Sequence, residues 1–143
     1  MRQIYAVVDT NVLVAALLSK NPESAVVGVV NRLYEDRFVP LYSKEIIAEY
    51  NDVLYRSKFR FNTKDVRTLV DIIMGLGNDV EAEHIPLPED MPDADDLPFY
   101  EVVLHEQDKG AFLVTGNQKH FPRKPFVITA SEFLSILENH LKS

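Results

Sequence analysis

Apolar and polar positions follow two rhythms along this chain, one continuous and one helical. Ile4-Tyr5-Ala6-Val7-Val8 is an unbroken apolar run with three β-branched residues. It predicts a strand covered on both faces, because a half-exposed strand would alternate. The run stops at Asp9, and Asp9 or Thr10 supplies a cap for a helix over 11–18. Asn21-Pro22-Glu23 breaks that helix and opens another through about residue 36, with Pro22 in its first turn. A second strand is predicted over 38–42, where Pro40 removes one backbone donor. Ser43 then caps a helix over 44–56, and a further helix covers 63–74, ending near Gly75 and Gly77. Residues 78–94 are acidic and punctuated by Pro86, Pro88 and Pro92, which reads as a connection with one short strand around 82–85. A helix over 95–107 carries Pro98 in its first turn, strands follow over 111–115 and 126–128, and a helix over 130–141 closes the chain, with Ser131 near its start.

Strands and helices therefore alternate from end to end. The fold class predicted is α/β, a mostly parallel central sheet covered by helices through right-handed crossovers. No internal repeat or low-complexity segment interrupts the pattern. With 143 residues, 46% of them hydrophobic, the chain can bury a sizeable core, and residues 1–143 are read as a single domain. There is no cysteine. That excludes disulfide frameworks, thiol catalysis and Cys-rich metal sites, and it fits a reducing compartment. No apolar run approaches the roughly 20 residues of a membrane span, and the N-terminus lacks the features of a signal peptide. A cytoplasmic protein with no membrane partner is the expectation.

Charge complicates this picture. The 22 Asp and Glu against 15 Lys and Arg give −7, which argues against a partner held by bulk positive charge, nucleic acid included. The charge is segregated, however. Eleven carboxylates lie between Asp79 and Asp108, and no Lys or Arg occurs from Thr68 through Asp108. Arg56, Lys58, Arg60, Lys64 and Arg67 interleave with Phe59 and Phe61, and Lys119, His120, Arg123 and Lys124 form a second cluster. A charge run by itself is more often a solvated face than a binding patch.

In a parallel α/β sheet, ligands gather beyond the carboxyl ends of the strands. Asp9 directly follows the first strand, Asn117 follows the 111–115 strand, and the acids of 93–96 open the helix that feeds it. Glu49 lies within a helix, about 95° from the centre of the stripe formed by Ile46, Ile47, Tyr50, Val53 and Leu54, nearer the core than Glu45 or Asp52. Singly, each acid is explained by helix capping, by the helix dipole or by a solvated surface. Together they would repel one another unless a cation joined them. Hard oxygen ligands without Cys or clustered His point to magnesium or manganese, whose chemistry includes activating water toward phosphorus.

Four segments carry a resemblance: Val-Val-Asp-Thr-Asn-Val (7–12), the 43–54 helix with Glu49-Tyr50, Asp-Ala-Asp-Asp-Leu-Pro-Phe (93–99), and Leu-Val-Thr-Gly-Asn-Gln-Lys-His-Phe-Pro (113–122). In this order and at these separations the sequence resembles PIN-domain ribonucleases, in particular the toxins of toxin-antitoxin pairs. The resemblance implies a three-layer α/β/α domain and a Mg2+- or Mn2+-dependent endoribonuclease that leaves a 5′-phosphate and a 3′-hydroxyl. By position, Asp9, Glu49, Asp96 and Asn117 would be the catalytic metal-binding residues, with Asp93 a neighbouring acid. Asn117 departs from the commoner Asp, so weaker binding of a second metal is expected. Asn11 and Thr115 would hydrogen-bond around the Asp9 and Asn117 regions, although capping and turn formation explain them equally well.

Arg56, Lys58, Arg60, Lys119 and His120 would hold RNA phosphates on either side of the cut. Phe59 and Phe61 are read as core or dimer residues in preference to base-stacking ones. The partners implied are an RNA substrate, a cognate antitoxin that fills the acidic cleft, and a second copy in a homodimer. The alternative is a catalytically weak RNA- or partner-binding module, motivated by Asn117. A phosphoryl-transfer domain with Asp9 as nucleophile ranks lower: a second aspartate close after Asp9 is lacking, as is a lysine at the end of the 111–115 strand.

Overall fold

A computed structural model describes residues 3–142. The first apolar run forms β1 (Tyr5–Val8), followed by α1 (Thr10–Leu18), α2 (Ala25–Tyr34) and β2 (Val39–Tyr42). Then come α3 (Lys44–Leu54), α4 (Thr63–Leu76), β3 (Asn78–Asp79), α5 (Leu97–His105), β4 (Phe112–Val114), β5 (Val127–Ile128) and α6 (Ala130–Lys142). All strand pairings are parallel, in the order β3-β2-β1-β4-β5. The chain builds outward from β1 to β2 and β3, then crosses back to place β4 on the other side. The carboxyl ends of β1 and β4 therefore flank the point where strand order reverses, where a crevice forms in such sheets.

Helix α5 lies across β1, β2 and β4, with α3 beside it and Tyr50 of α3 packed against Phe99 of α5. On the other layer α2 packs on α6, and the fully buried Phe133 of α6 meets Phe38 and Phe112 edge-on or tilted. Burying a side chain of that size contributes about 2 to 3 kcal/mol. The α/β/α reading holds. Among the described residues no helix is long and apolar enough to cross a membrane.

Pro40 sits inside the sheet, between β1 and β3, without an unmet donor. Val39 N–H bonds to Ile4 O at 2.8 Å, so the alternation of a parallel ladder turns residue 40 toward β3, which pairs only from Leu41 onward. Gly77 makes room for that approach, since a Cβ there would lie 2.2 Å from Pro40 O. Ser43 caps α3 by accepting from Ile46 N–H.

Three sequence expectations need correction. The short strand around 82–85 does not form; β3 lies at Asn78–Asp79, and Val80 N–H extends its pairing to Tyr42 O at 2.7 Å. Ile85 N–H is instead taken by Glu101 Oε2 at 2.7 Å, and Ala82 and Ile85 pack on the core as extended chain. Pro22 precedes α2 rather than entering it: Ser24 is the N-cap, and Asn21 Oδ1 accepts from Glu23 N–H in a turn. The start of the predicted 95–107 helix is a single 3-10 turn over Ala94–Asp96, which leaves Pro98 in the first turn of α5.

Candidate functional site

Asp9 occupies the N-cap position of α1, but its side chain makes no capping hydrogen bond. It is 4% exposed and turns toward β4, where Thr115 Oγ1 donates to its Oδ2 at 2.8 Å. The Asp9 N–H bonds to Val114 O at 2.9 Å, so the residue is fixed to the β4 edge by both main chain and side chain. Thr115 is fully buried and uses its hydroxyl twice, accepting from Asn117 N–H at 3.0 Å while donating to Asp9. Asn11 reaches across to the same loop, its Oδ1 accepting from Gly116 N–H at 3.0 Å.

Glu49 is presented by α3. The next residue, Tyr50, is buried and donates its hydroxyl to Val8 O, which pins the helix to the end of β1. Asp96 closes the 3-10 turn that Asp93 caps through its own carboxylate, accepting from Asp95 N–H at 2.9 Å. His120 Nδ1 lies 3.3 Å from Asp96 Oδ2, within ion-pair range when the ring is protonated but off the hydrogen-bonding direction. Oδ2 is therefore buried with an unfilled lone pair, and Thr10 Oγ1 is the other such atom among the described residues.

These groups share one cleft of about 490 Å³. Asp9, Asn11, Glu49, Arg56, Asp93, Asp96, Asn117 and His120 all line it, together with Asp95 and the apolar Val14, Leu18, Phe59 and Phe99. Lys58, Arg60 and Lys119 do not. Lys58 lies over the Phe59 ring, and Lys119 lines a neighbouring depression of about 490 Å³ with Arg123 and Lys124. Phe61 packs on the core as expected, whereas Phe59 faces the cleft.

The electrostatics are those of crowded acids. Burial, and secondarily the charge of Asp96, raise the Asp9 pKa from 3.8 to about 6 against the lowering effect of the Thr115 hydrogen bond. Glu49 is raised by desolvation and then by Asp95, Asp52 and Asp96, with Arg56 opposing. Asp96 is raised by desolvation and Asp93, with His120 opposing. Among the described residues no three His, Asp or Glu side chains stand close enough, as they lie, to clasp a metal ion. The donor chemistry nevertheless fits a hard divalent cation. Asp9, Glu49 and Asp96 are hard oxygen donors whose pKa values burial raises, Asp96 raises both of the others, and the buried Asp96 Oδ2 makes no hydrogen bond, with only the His120 ring beside it.

Sequence reasoning took Thr10 only as a possible helix cap, whereas it lies inside α1 with a buried hydroxyl that finds no partner, and it did not single out the Tyr50 hydroxyl, which the apolar stripe of α3 absorbs. Compared with known proteins, residues 5–119 match the family model described as PIN domain. Searches of curated proteins and of solved structures returned no match.

Proposed function

The chain belongs to the PIN-domain family, which is a family of nucleases, and from that premise we propose that it is a divalent-metal-dependent endoribonuclease. One observation carries the reading: Asp9, Glu49, the Asp93 and Asp96 of one turn, and Asn117, supplied by four segments of the chain, line one cleft at the carboxyl edge of a parallel sheet. Asp9, Glu49 and Asp96 would hold Mg2+ or Mn2+, with Asp93 and the amide oxygen of Asn117 beside them. When bound, the cation supplies charge neutralisation to the phosphodiester and acidity to the attacking water.

The chain's own residues do the rest. Thr115 orients the Asp9 carboxylate and favours its ionised form. The α3 helix, tied to Val8 through Tyr50, sets Glu49 across the cleft from Asp9. His120, with its Nδ1 3.3 Å from Asp96 Oδ2, stands where it can meet a phosphate at the edge of the cleft. Arg56 on the cleft wall and Lys119 beside it supply phosphate contacts, with Lys58 and Arg60 farther along the same loop as Arg56. The products proposed are a 5′-phosphate and a 3′-hydroxyl.

The narrower assignment as the toxin of a toxin-antitoxin pair, with an antitoxin that lays a basic side chain into the acid cleft, rests on the motif resemblance and on the charge of the cleft. Growth arrest on expression, relieved by a co-expressed short neighbouring gene product, is the expected result. Unaffected growth with confirmed intact protein counts against toxicity. For the nuclease itself, Asp96→Asn should abolish cleavage of mixed RNA with manganese while preserving the circular dichroism spectrum; full activity in that variant sinks the reading. Asn117 supports a second reading, a weakly hydrolytic binding module. It is favoured if the wild type binds manganese tightly, cuts nothing, and gains cleavage on Asn117→Asp.

A further inference from the structure

The turn between α3 and α4 puts Phe59 and Phe61 face to face, with ring centroids 5.2 Å apart and planes within 7° of parallel. Residues two apart on an extended chain point the same way about 6.6 Å apart, and a turn in the intervening backbone brings their rings closer. Arg60 does this with φ +56, a left-handed conformation disfavoured for a residue with a side chain. Such a conformation persists where the surrounding structure holds it, and it tends to cluster at binding sites. Phe61 rests on the hydrophobic core, so the lower ring is fixed. Phe59, half-buried above it, lines the acid cleft alongside Glu49, Arg56 and Asp96. Lys58 Nζ stands over the Phe59 ring, 5.0 Å from its centroid, on a long exposed side chain that a stacking base displaces toward the phosphates. A supported aromatic face, flanked by cations and opening onto the carboxylates, is complementary to a flat base carrying a phosphodiester.

We propose that Phe59, backed by Phe61, is a stacking platform for one unpaired nucleobase of a single strand lying in the cleft, with Arg56 and Lys58 meeting the phosphates beside it. The platform rests on the nuclease reading of the cleft and narrows its substrate to unpaired RNA. A base inside a duplex already has neighbours on both faces, so it cannot use this ring without leaving the stack.

The chain contains no tryptophan, so Phe59→Trp creates a single fluorophore at the platform. On an Asp9→Asn background in magnesium buffer, where turnover is blocked, a short mixed-sequence single-stranded RNA should quench that tryptophan strongly. A duplex of the same sequence, and an abasic strand of the same length, should quench it weakly. On the same background Phe59→Leu, which keeps the apolar bulk without the aromatic face, should weaken strand binding about tenfold or more, the loss of one stacked base. Quenching by the abasic strand equal to that by the intact strand overturns the proposal, as does unchanged strand affinity in Phe59→Leu. If Phe59→Leu converts a dimer to a monomer in size-exclusion chromatography with strand affinity intact, the ring pair is a protein contact and the proposal is also overturned. Failure of the nuclease reading shows separately, as cleavage that survives Asp96→Asn.

Discussion

Replacing Asp9 with asparagine should remove activity and make the metal-free protein more stable at neutral pH. Asp9 is almost fully buried, and its pKa rises from 3.8 to about 6 because burial and Asp96 disfavour the ionised form. Between those two values the folded chain binds the proton more tightly than the unfolded chain. Stability therefore falls as pH rises through about 4 to 6 and stays low above that window. At roughly 1.4 kcal/mol per pH unit, the full penalty at pH 7.5 is about 3 kcal/mol. Asparagine carries no charge to desolvate, and its amide oxygen still accepts from Thr115, although that bond is weaker by about 1 kcal/mol than one to a carboxylate. The net gain is about 2 kcal/mol, or about 7 °C in Tm for a chain of this length. Thermal melts in EDTA at pH 4 and pH 7.5 check it. Asp9→Asn should melt well above wild type at pH 7.5, with no gain at pH 4, and manganese should raise the Tm of wild type more than that of the variant. A variant no more stable than wild type at pH 7.5 would refute the account of Asp9 as a strained, desolvated carboxylate.

Thr115→Val removes the hydrogen bond that lowers the Asp9 pKa, so the acid limb of the pH–rate profile should move up by about one unit. An unmoved limb would show that Asp9 ionisation does not govern activity. Asn117→Asp adds a carboxylate beside Asp9 and Asp96 and should tighten manganese binding by roughly tenfold in calorimetry; an unchanged isotherm removes residue 117 from the ligand set. Tyr50→Phe deletes the buried hydroxyl that satisfies Val8 O, and should lower urea stability by about 1 to 3 kcal/mol. A loss below about 0.5 kcal/mol would mean that this bond does not hold α3 to β1.

The parts of the fold legible in the sequence are those whose signal is local and apolar. β1 and β4 are unbroken hydrophobic runs, and Ser43 and Gly77 mark helix ends that the structure keeps, so the sheet centre and the two loops flanking the cleft follow from residue type. Glu49 was legible because its angle from the apolar stripe of α3 is a property of helical geometry alone. β3 was not, because Asn78 and Asp79 have no strand-forming character and are held only by the ladder to Leu41 and Tyr42. Nor was the 82–85 segment, whose backbone is satisfied by Glu101, 16 residues farther along and embedded in what reads as an acidic block. Phe59, read as a core or dimer residue, lies outside the core cluster and on the cleft for a third reason. Its exposure to the cleft depends on a left-handed Arg60, and an arginine gives no sign that it adopts φ +56.

The net charge of −7 looks unfavourable for a nucleic-acid partner only while it is treated as a surface average. In space, Asp9, Glu49, Asp93, Asp95 and Asp96 concentrate negative charge at the cleft. Arg56 stands on its wall, with Lys58 farther along that loop, and Lys119, Arg123 and Lys124 line the adjoining depression. An arrangement of this kind repels a polyanion from its centre until a cation is bound there, and attracts it at the flanks throughout. Binding of metal and of strand are then coupled in sign: each removes part of the repulsion the other must overcome. Burial first, and the charge of neighbouring acids after it, raise the pKa of Asp9, Glu49 and Asp96 in the free protein. A cation held among these carboxylates would relieve both causes at Asp9, the burial of its charge and the repulsion from Asp96.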